Sequence, residues 1–251
     1  MGRATTVTPE RPQGVSGAGE ASLTPIASAP MPSPVPLDHR LETPRLTLRR
    51  FSVADAERVN EITSNWNVAR MLRLAPYPQS VEEKRAWLVS HEAEWIAGEA
   101  YRFAVIDNGT LIGCADVDEI ATGRNEIGYW LDERCWGRGL ATEAATAVRD
   151  FALRTLGLDR LTSGHASDNP DSGRVLEKIG FRWTEDVTVW SLPRQAEIVQ
   201  RRYAMRRPAC ASTRAGSATH ATKARERYVP MERQVGVKRY SPMSWADPPA
   251  F

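Results

Sequence analysis

The run Arg134-Cys-Trp-Gly137-Arg138-Gly139-Leu140-Ala141-Thr142-Glu143 joins two periodic segments. Before it, Glu126-Ile-Gly-Tyr-Trp-Leu131 reads as a strand. After it, Leu140 to Leu156 reads as a helix with Ala144, Ala147, Val148, Phe151 and Thr155 as its buried stripe and Gly157 as its C-cap. Two glycines one residue apart let the backbone turn sharply and approach a ligand with no Cβ in the way. The amides of such a turn point together, and the helix that follows adds the positive end of its dipole. The expected result is an anion site suited to phosphate oxygens, to which Arg134 and Arg138 would add charge-assisted hydrogen bonds. A GxxxxGK[ST] loop is excluded, because no Lys-Ser/Thr pair is present. A dinucleotide fingerprint would need Gly or Ala where Thr142 stands, and an early βαβ unit. On these residues alone, a plain strand-to-helix turn with glycines for packing stays open.

Upstream, Arg45-Leu-Thr-Leu-Arg-Arg50 alternates as a half-buried strand, and Ser52-x-x-Asp55 opens a helix to about Ser64. Ser80-Val-Glu-Glu83 is a capping box for a helix with Leu88, His91 and Trp95 on one face, closed by Gly98. Tyr101 to Ile106 and Thr110 to Asp116 flank Asp107-Asn-Gly109, a hairpin signal, and Thr122-Gly-Arg-Asn125 turns into the strand at Glu126. Downstream, a strand over Leu161 to His165 precedes a helix over Ser172 to Ile179, stopped by Gly180. Phe181 to Trp190 and Ile198 to Arg206 close the domain as paired strands. The order predicts a mixed α/β fold with helices on both faces of one sheet.

The composition sets outer limits. The chain has 251 residues, 41% hydrophobic and 25% charged, which excludes wholesale disorder and a polytopic membrane protein. No apolar run approaches the ~18 residues of a membrane span, and no leader pattern for secretion is expected. Residues 1–40 hold seven Pro, four Gly, four Ser and five Ala, and read as a flexible arm. Residues 208–251 contain neither Leu nor Ile and read as a tail outside the core. Eight Lys/Arg against three Asp/Glu from Arg207 onward give +5, within a net charge of +2 for the whole chain. Nucleic-acid contact is therefore expected only through that tail, if at all. One domain over residues 41–207 remains. Cys114, Cys135 and Cys210 form neither a disulfide framework nor a metal-ligand spacing, which points to a cytoplasmic protein with no metal.

The segment Arg134-x-x-Gly137-x-Gly139 matches the pyrophosphate loop of the GNAT N-acetyltransferases, written Q/R-x-x-G-x-G/A. Glu126 to Leu131, Ala141-Thr-Glu-Ala144, Asp168-Asn-Pro-Asp-Ser172, Arg174 to Phe181 and Leu41-Glu-Thr-Pro-Arg-Leu-Thr-Leu-Arg49 resemble the RimJ/RimL-like branch in particular, in order, over about residues 41–206. The resemblance implies a central sheet splayed after Tyr129, Trp130 and Leu131, with the pantetheine arm of acetyl-CoA in the wedge. It places the pyrophosphate on amides from Trp136 to Ala141, with Arg134, Arg138, Leu140 and Thr142 around it. It also sets Asn169 against the cofactor arm and Ser172 near the sulfur.

The implied reaction is acetyl transfer from acetyl-CoA to an amine by direct attack within a ternary complex. A lysine side chain is neutral in about one molecule in a few thousand at pH 7, an α-amino group in roughly a sixth. A peptide N-terminus or a similarly acidic amine therefore asks less of a general base. The candidates are Asp116, Asp118, Glu119, Glu126 and His165, with Asp116 and Asp118 on one strand face and His165 expected to point into the cleft. Each also has a structural reading as an exposed strand-end carboxylate or a plain hydrogen-bonded histidine. Ser172 is read as a donor to the leaving sulfur or as the helix N-cap. Cys135, beside the turn, raises an acyl-cysteine route, and Trp130, Trp136 and Trp183 are read as core or cleft-wall groups. A non-catalytic acyl-CoA-binding module would keep Gly137, Gly139 and Asn169 but need no base. A monomer and a homodimer are both compatible with the sequence.

Overall fold

The computed structural model describes residues 35–207. Residues 1–34 of the arm expected over 1–40, and the tail expected over 208–251, lie outside the described residues. Residues 35–40, read from composition as part of the arm, pack onto the domain instead. Trp95 Nε1 donates to Val35 O at 3.1 Å, and the His39 ring lies 5.3 Å from Phe151.

The strands are β1 (Arg40–Glu42), β2 (Leu46–Arg50), β3 (Tyr101–Asp107), β4 (Thr110–Asp118), β5 (Glu126–Leu131), β6 (Arg160–Ala166), β7 (Arg182–Ser191) and β8 (Ala196–Arg206). They form one sheet in the order β1-β2-β3-β4-β5-β6-β8-β7. Its pairs are antiparallel except β5 with β6. A parallel pair needs a crossover, here made by α4 (Leu140–Arg154). The N-terminus of that helix therefore follows directly from the end of β5.

Helices α1 (Ala56–Thr63), α2 (Trp66–Ala69) and α3 (Val81–Ala97) lie between β2 and β3 in the chain, and α5 (Pro170–Lys178) follows β6. On one face Phe103, Ile127, Leu140, Ala144, Val148, Phe151, Leu161 and Leu176 form the larger core. On the other, Phe51, Val59, Ile62, Leu88, Leu111 and Cys114 form a second cluster. Helices thus cover both faces, as the alternation predicts.

Three local readings change. The first helix opens as a 3-10 turn, Val53–Asp55, and α2 and β1 are additional short elements with too few residues to show a period. In α4 the buried positions include Ala145 and Ala152, whereas Thr155 caps the helix and is exposed. Helix α5 begins at Pro170 rather than Ser172, because Asn169 is its N-cap and proline suits the first helical turn.

The second cluster contains a polar misfit. His91 is 3% exposed, its ring lies 4.3 Å from that of Trp87 and 5.6 Å from that of Phe51, and neither ring nitrogen has a partner among the described residues. Burial, helped by the positive charge of Arg102, pushes its pKa down to about 3. The folded state thus holds His91 neutral while the unfolded chain protonates it below about 6.5. Stability is full above that pH and should fall by up to about 1.4 kcal/mol per pH unit as pH drops toward 3. His91→Leu, nearly isosteric, is expected to raise stability by about 1–2 kcal/mol at pH 7 and to remove this contribution to the acid slope. Urea unfolding at pH 7 and pH 5 checks both; an unchanged or lower midpoint in the variant counts against the account.

Candidate active site

After β5, the Asp132 side chain accepts from Arg134 N at 3.0 Å and starts a 3-10 turn, Glu133–Cys135. Gly137 and Gly139 follow in the left-handed region, with φ of +75° and +76°. A Cβ on Gly137 would meet nothing within 4 Å, so the backbone is bare on that side. Helix α4 begins at the next residue, and its first amides lack intrahelical acceptors. Leu140 is buried, while Ala141 and Thr142 are half-buried.

The arginines sit differently from the simplest reading. Arg134 bonds Asp132 at 2.6 Å and Glu61 at 2.9 Å, and Arg138 bonds Asp107 at 3.1 Å. Hydrogen bonds from Arg134 hold the Asp132 carboxyl far below the usual carboxylate range. The cation braced against the turn is Arg45, which sequence reasoning left unassigned. Its Nη1 donates to Arg138 O at 3.0 Å, its Nη2 meets Glu143 at 2.6 Å, and a Cβ on Gly139 would lie 3.7 Å from that Nη2. Thr43 Oγ1 also donates to Glu143 at 2.7 Å. The quoted segment Leu41 to Arg49 contained both residues, but nothing local joins Arg45 to a turn residue 93 positions away.

Beside the turn, the sheet opens. Strands β5 and β6 share one register pair, Glu126 with Thr162, reinforced by Ser163 Oγ donating to Ile127 O at 2.7 Å. Beyond it, Gly128 to Leu131 keep their pairing with β4 alone. Across the gap, Tyr129 Oη lies 2.9 Å from both the carbonyl oxygen and Oγ of Ser172. Desolvation raises the Tyr129 pKa, so the phenol stays protonated. Asn169 accepts from Ser172 N at 3.3 Å and caps α5. Since Asn169 fills the capping role, the Ser172 hydroxyl is free to meet Tyr129.

The two faces of the gap carry different chemistry. His165 follows Leu161 by four residues on the face toward α5, where it is 6% exposed. Its Nδ1 lies 2.8 Å from Ala166 O, and a Cβ on Gly173 would come within 2.7 Å of its Nε2. Burial lowers its pKa, against the effect of that backbone bond. It thus sits beneath α5 and not beside Asp116. Asp116 alternates with the core residues Ala115 and Val117 and faces the other way, with Cys114. It pairs with Gly128, and a Cβ there would stand 2.5 Å from Asp116 Oδ1, so the carboxylate rests against bare β5 backbone at the gap. Desolvation pushes its pKa up to about 6, with Arg102 opposing and Asp118 adding.

The other candidate carboxylates on this side have partners. Asp118 meets Arg102 at 2.6 Å, and Arg102 also pairs with Glu94. Glu126 takes two bonds from Arg202, at 2.9 and 3.1 Å, which hold its carboxyl below the usual range against the effect of burial. Arg124 bridges Glu119 at 2.8 Å and Glu126 at 2.9 Å. The walls around them are tied together by Asp168, which meets Arg70 at 2.9 Å and Arg194 at 2.9 and 3.0 Å. Cys135 belongs to the larger core, and Trp130 packs against the second cluster. Trp136 and Trp183 are 46% and 56% exposed, each held by its Nε1 while the ring stays in solvent, so neither is a core group. Among the described residues no cluster of His, Cys, Asp and Glu is placed to hold a metal ion, and no helix is long and apolar enough to cross a membrane.

Residues 45–182 match the acetyltransferase (GNAT) domain family. The uncharacterized N-acetyltransferase p20 of Bacillus licheniformis is 30% identical over 146 residues, 57% of this chain and 82% of that protein. The ribosomal-protein-serine acetyltransferase of Escherichia coli is 30% identical over 107 residues, 42% of this chain and 60% of that protein. A solved structure of RimL, a ribosomal L7/L12 alpha-N-protein acetyltransferase in complex with coenzyme A, superposes with a TM-score of 0.61 at 19% identity. It covers 67% of this chain and 98% of its own.

Proposed function

Because the chain belongs to the GNAT acetyltransferase family, we propose that it moves the acetyl group of acetyl-CoA onto a primary amine, by direct attack with both substrates bound. The amine would be a peptide N-terminus or a small molecule. The observation that carries this reading is the gap beyond the single β5–β6 pair, with the Gly137–Gly139 turn at its mouth and Tyr129 and Ser172 across it. Amides from Trp136 to Ala141 would take the pyrophosphate, backed by the α4 dipole. Backbone groups of Tyr129 and Leu131, which lie with Ile127 on the β6 side of β5, would meet the amides of the pantetheine arm. The side-chain amide of Asn169 borders the same arm.

Acetyl-CoA supplies an activated thioester carbonyl; the chain supplies position and proton control. Asp116 accepts the amine's proton as nitrogen bonds the acetyl carbon. Ser172, oriented by Tyr129, donates toward the sulfur as the carbon–sulfur bond breaks. A carboxyl with a pKa near 6 is ionised at pH 7 and a better base than an ordinary one. Calorimetric titration of acetyl-CoA into the full chain is expected to show micromolar binding, and thiol release on adding an N-terminal peptide. A folded chain giving neither heat nor thiol release overturns the donor assignment.

A further inference from the structure

Counting on from the register pair of Glu126 with Thr162 sets Gly128 of β5 opposite Gly164 of β6 across the gap. Both lie on the sheet face of Asp116, since Gly128 pairs with Asp116 and His165, next to Gly164, faces α5. A Cβ on Gly128 would stand 2.5 Å from Asp116 Oδ1; one on Gly164 would stand 3.2 Å from Gln200 Cδ and 2.9 Å from Arg202 Nη1. One rim of the gap therefore carries a carboxylate, and the other a side-chain amide beside a guanidinium. The guanidinium is spent on Glu126, with bonds at 2.9 and 3.1 Å. The amide is not. Gln200 is 7% exposed, and its side chain makes one hydrogen bond among the described residues, from Arg202 Nη1 to Oε1 at 3.4 Å. A guanidinium can only donate, so this contact turns the oxygen of the amide toward Arg202 and the nitrogen away from it. The buried polar atoms without a partner include His165 Nε2 and Ser191 Oγ but not Gln200 Nε2, so this donor opens to solvent from an otherwise buried side chain. A polar group held in place by packing, with its donor unused, is the kind that fixes a ligand's orientation in a cleft.

The two rims say what the acceptor carries beside its amine. Paired strands would stand about 4.8 Å apart, and here they splay further. An amine nitrogen and a carbonyl oxygen on the adjoining carbon span about 3 Å, and a hydrogen bond at each end adds about 3 Å more. An α-aminoacyl group can thus reach Asp116 with its nitrogen and Gln200 with its oxygen, whereas a plain alkylamine leaves the Gln200 donor unused. An uncharged donor suits an uncharged oxygen. Resting on the acetyl-transfer reading above, we propose that Gln200 sets acceptor specificity by donating from Nε2 to the carbonyl oxygen next to the reacting amine. The first carbonyl of a peptide and that of a small aminoacyl amide offer the same chemistry.

The test uses the full chain and three acceptor sets: peptides varied at the first residue, the matching aminoacyl amides, and alkylamines with no carbonyl. The best acceptor of the first two sets is also made with sulfur in place of its first carbonyl oxygen, which keeps the shape and accepts hydrogen bonds poorly. The oxygen member is expected to be favoured about 3- to 10-fold in kcat/KM, the range of a neutral hydrogen bond, and the set that supplies it identifies the source of the carbonyl. Gln200→Leu and Gln200→Glu should both bring this ratio to about 1; the second keeps an oxygen toward Arg202 and so removes the donor with the packing retained. Because each variant is its own control, a general loss of activity leaves the ratio readable. Acetyl-CoA affinity should hold in both, since Gln200 lies on the sheet face away from Ser172 and Tyr129. Alkylamines as the preferred acceptors, a wild-type ratio near 1, a ratio unchanged in the variants, or no acetylation of any set by a chain that still binds acetyl-CoA overturns the carbonyl contact alone. Failure of the wild type to bind acetyl-CoA would instead remove the reading on which it rests.

Discussion

Gly139→Asp is expected to raise the Kd for acetyl-CoA at least ~100-fold, with the fold retained. The residue sits at φ +76°, immediately before α4. A side chain there costs about 1–2 kcal/mol of backbone strain, which a folded domain of this size tolerates, and Asp is among the residues that tolerate this region best. The larger effect is electrostatic. A new carboxylate would stand where the turn's amides and the helix dipole present positive potential, near Arg45 Nη2. Two unit charges 4 Å apart near a protein surface repel by about 4 kcal/mol, more than the roughly 2.8 kcal/mol that a hundredfold loss requires. Gly139→Ala carries the strain without the charge and should lose much less. Calorimetry on the three proteins, with circular dichroism as the folding control, separates the effects. Undiminished binding by Gly139→Asp would mean that the phosphates do not seat on this turn.

Asp116→Asn is expected to lower kcat/KM by about 10²- to 10⁴-fold, the usual contribution of a positioned general base. Acetyl-CoA affinity should hardly change, because Asp116 lies on the sheet face away from Ser172 and Tyr129. Two further signatures distinguish catalysis from packing. In the wild type, kcat/KM should rise with pH until Asp116 is ionised near pH 6, and this limb should vanish in the variant. Stability should move in the opposite direction from activity. A carboxyl whose folded pKa exceeds its unfolded value stabilises the fold only at low pH, and that contribution is lost as pH rises from about 4 to about 6. Removing the charge should therefore raise stability at pH 7 by roughly 1–3 kcal/mol. A variant that loses activity and stability together points to a structural role. Loss of the limb in Glu126→Gln but not in Asp116→Asn would move the base from β4 to β5.

Some of the site was legible from neighbouring residues. The φ values of Gly137 and Gly139 and the first turn of α4 depend on a few adjacent positions, so the turn could be read from the chain. The same holds for the capping box at Ser80 and the left-handed Gly98 that closes α3. Asn169 rather than Ser172 as the cap of α5 was a local decision too, obscured because both residues can cap and Pro170 marks the start. His91 was placed on one helical face with Leu88 and Trp95, but its burial and the missing partners for its ring appear only with the packing around it.

By itself, the sequence determined the order of strands and helices, the Gly137–Gly139 turn and the kinship that names the reaction class, because these rest on periodicity and on short runs of residues. The tertiary structure decided which charged groups could act. Sheet register sets Asp116 against Gly128 and desolvates it, while it joins Glu126 to Arg202 and keeps that carboxylate ionised. Register also turns His165 under α5, and folding brings Arg45 to the turn. Burial and charge pairing arise between residues far apart in the chain, and proton affinity follows from both.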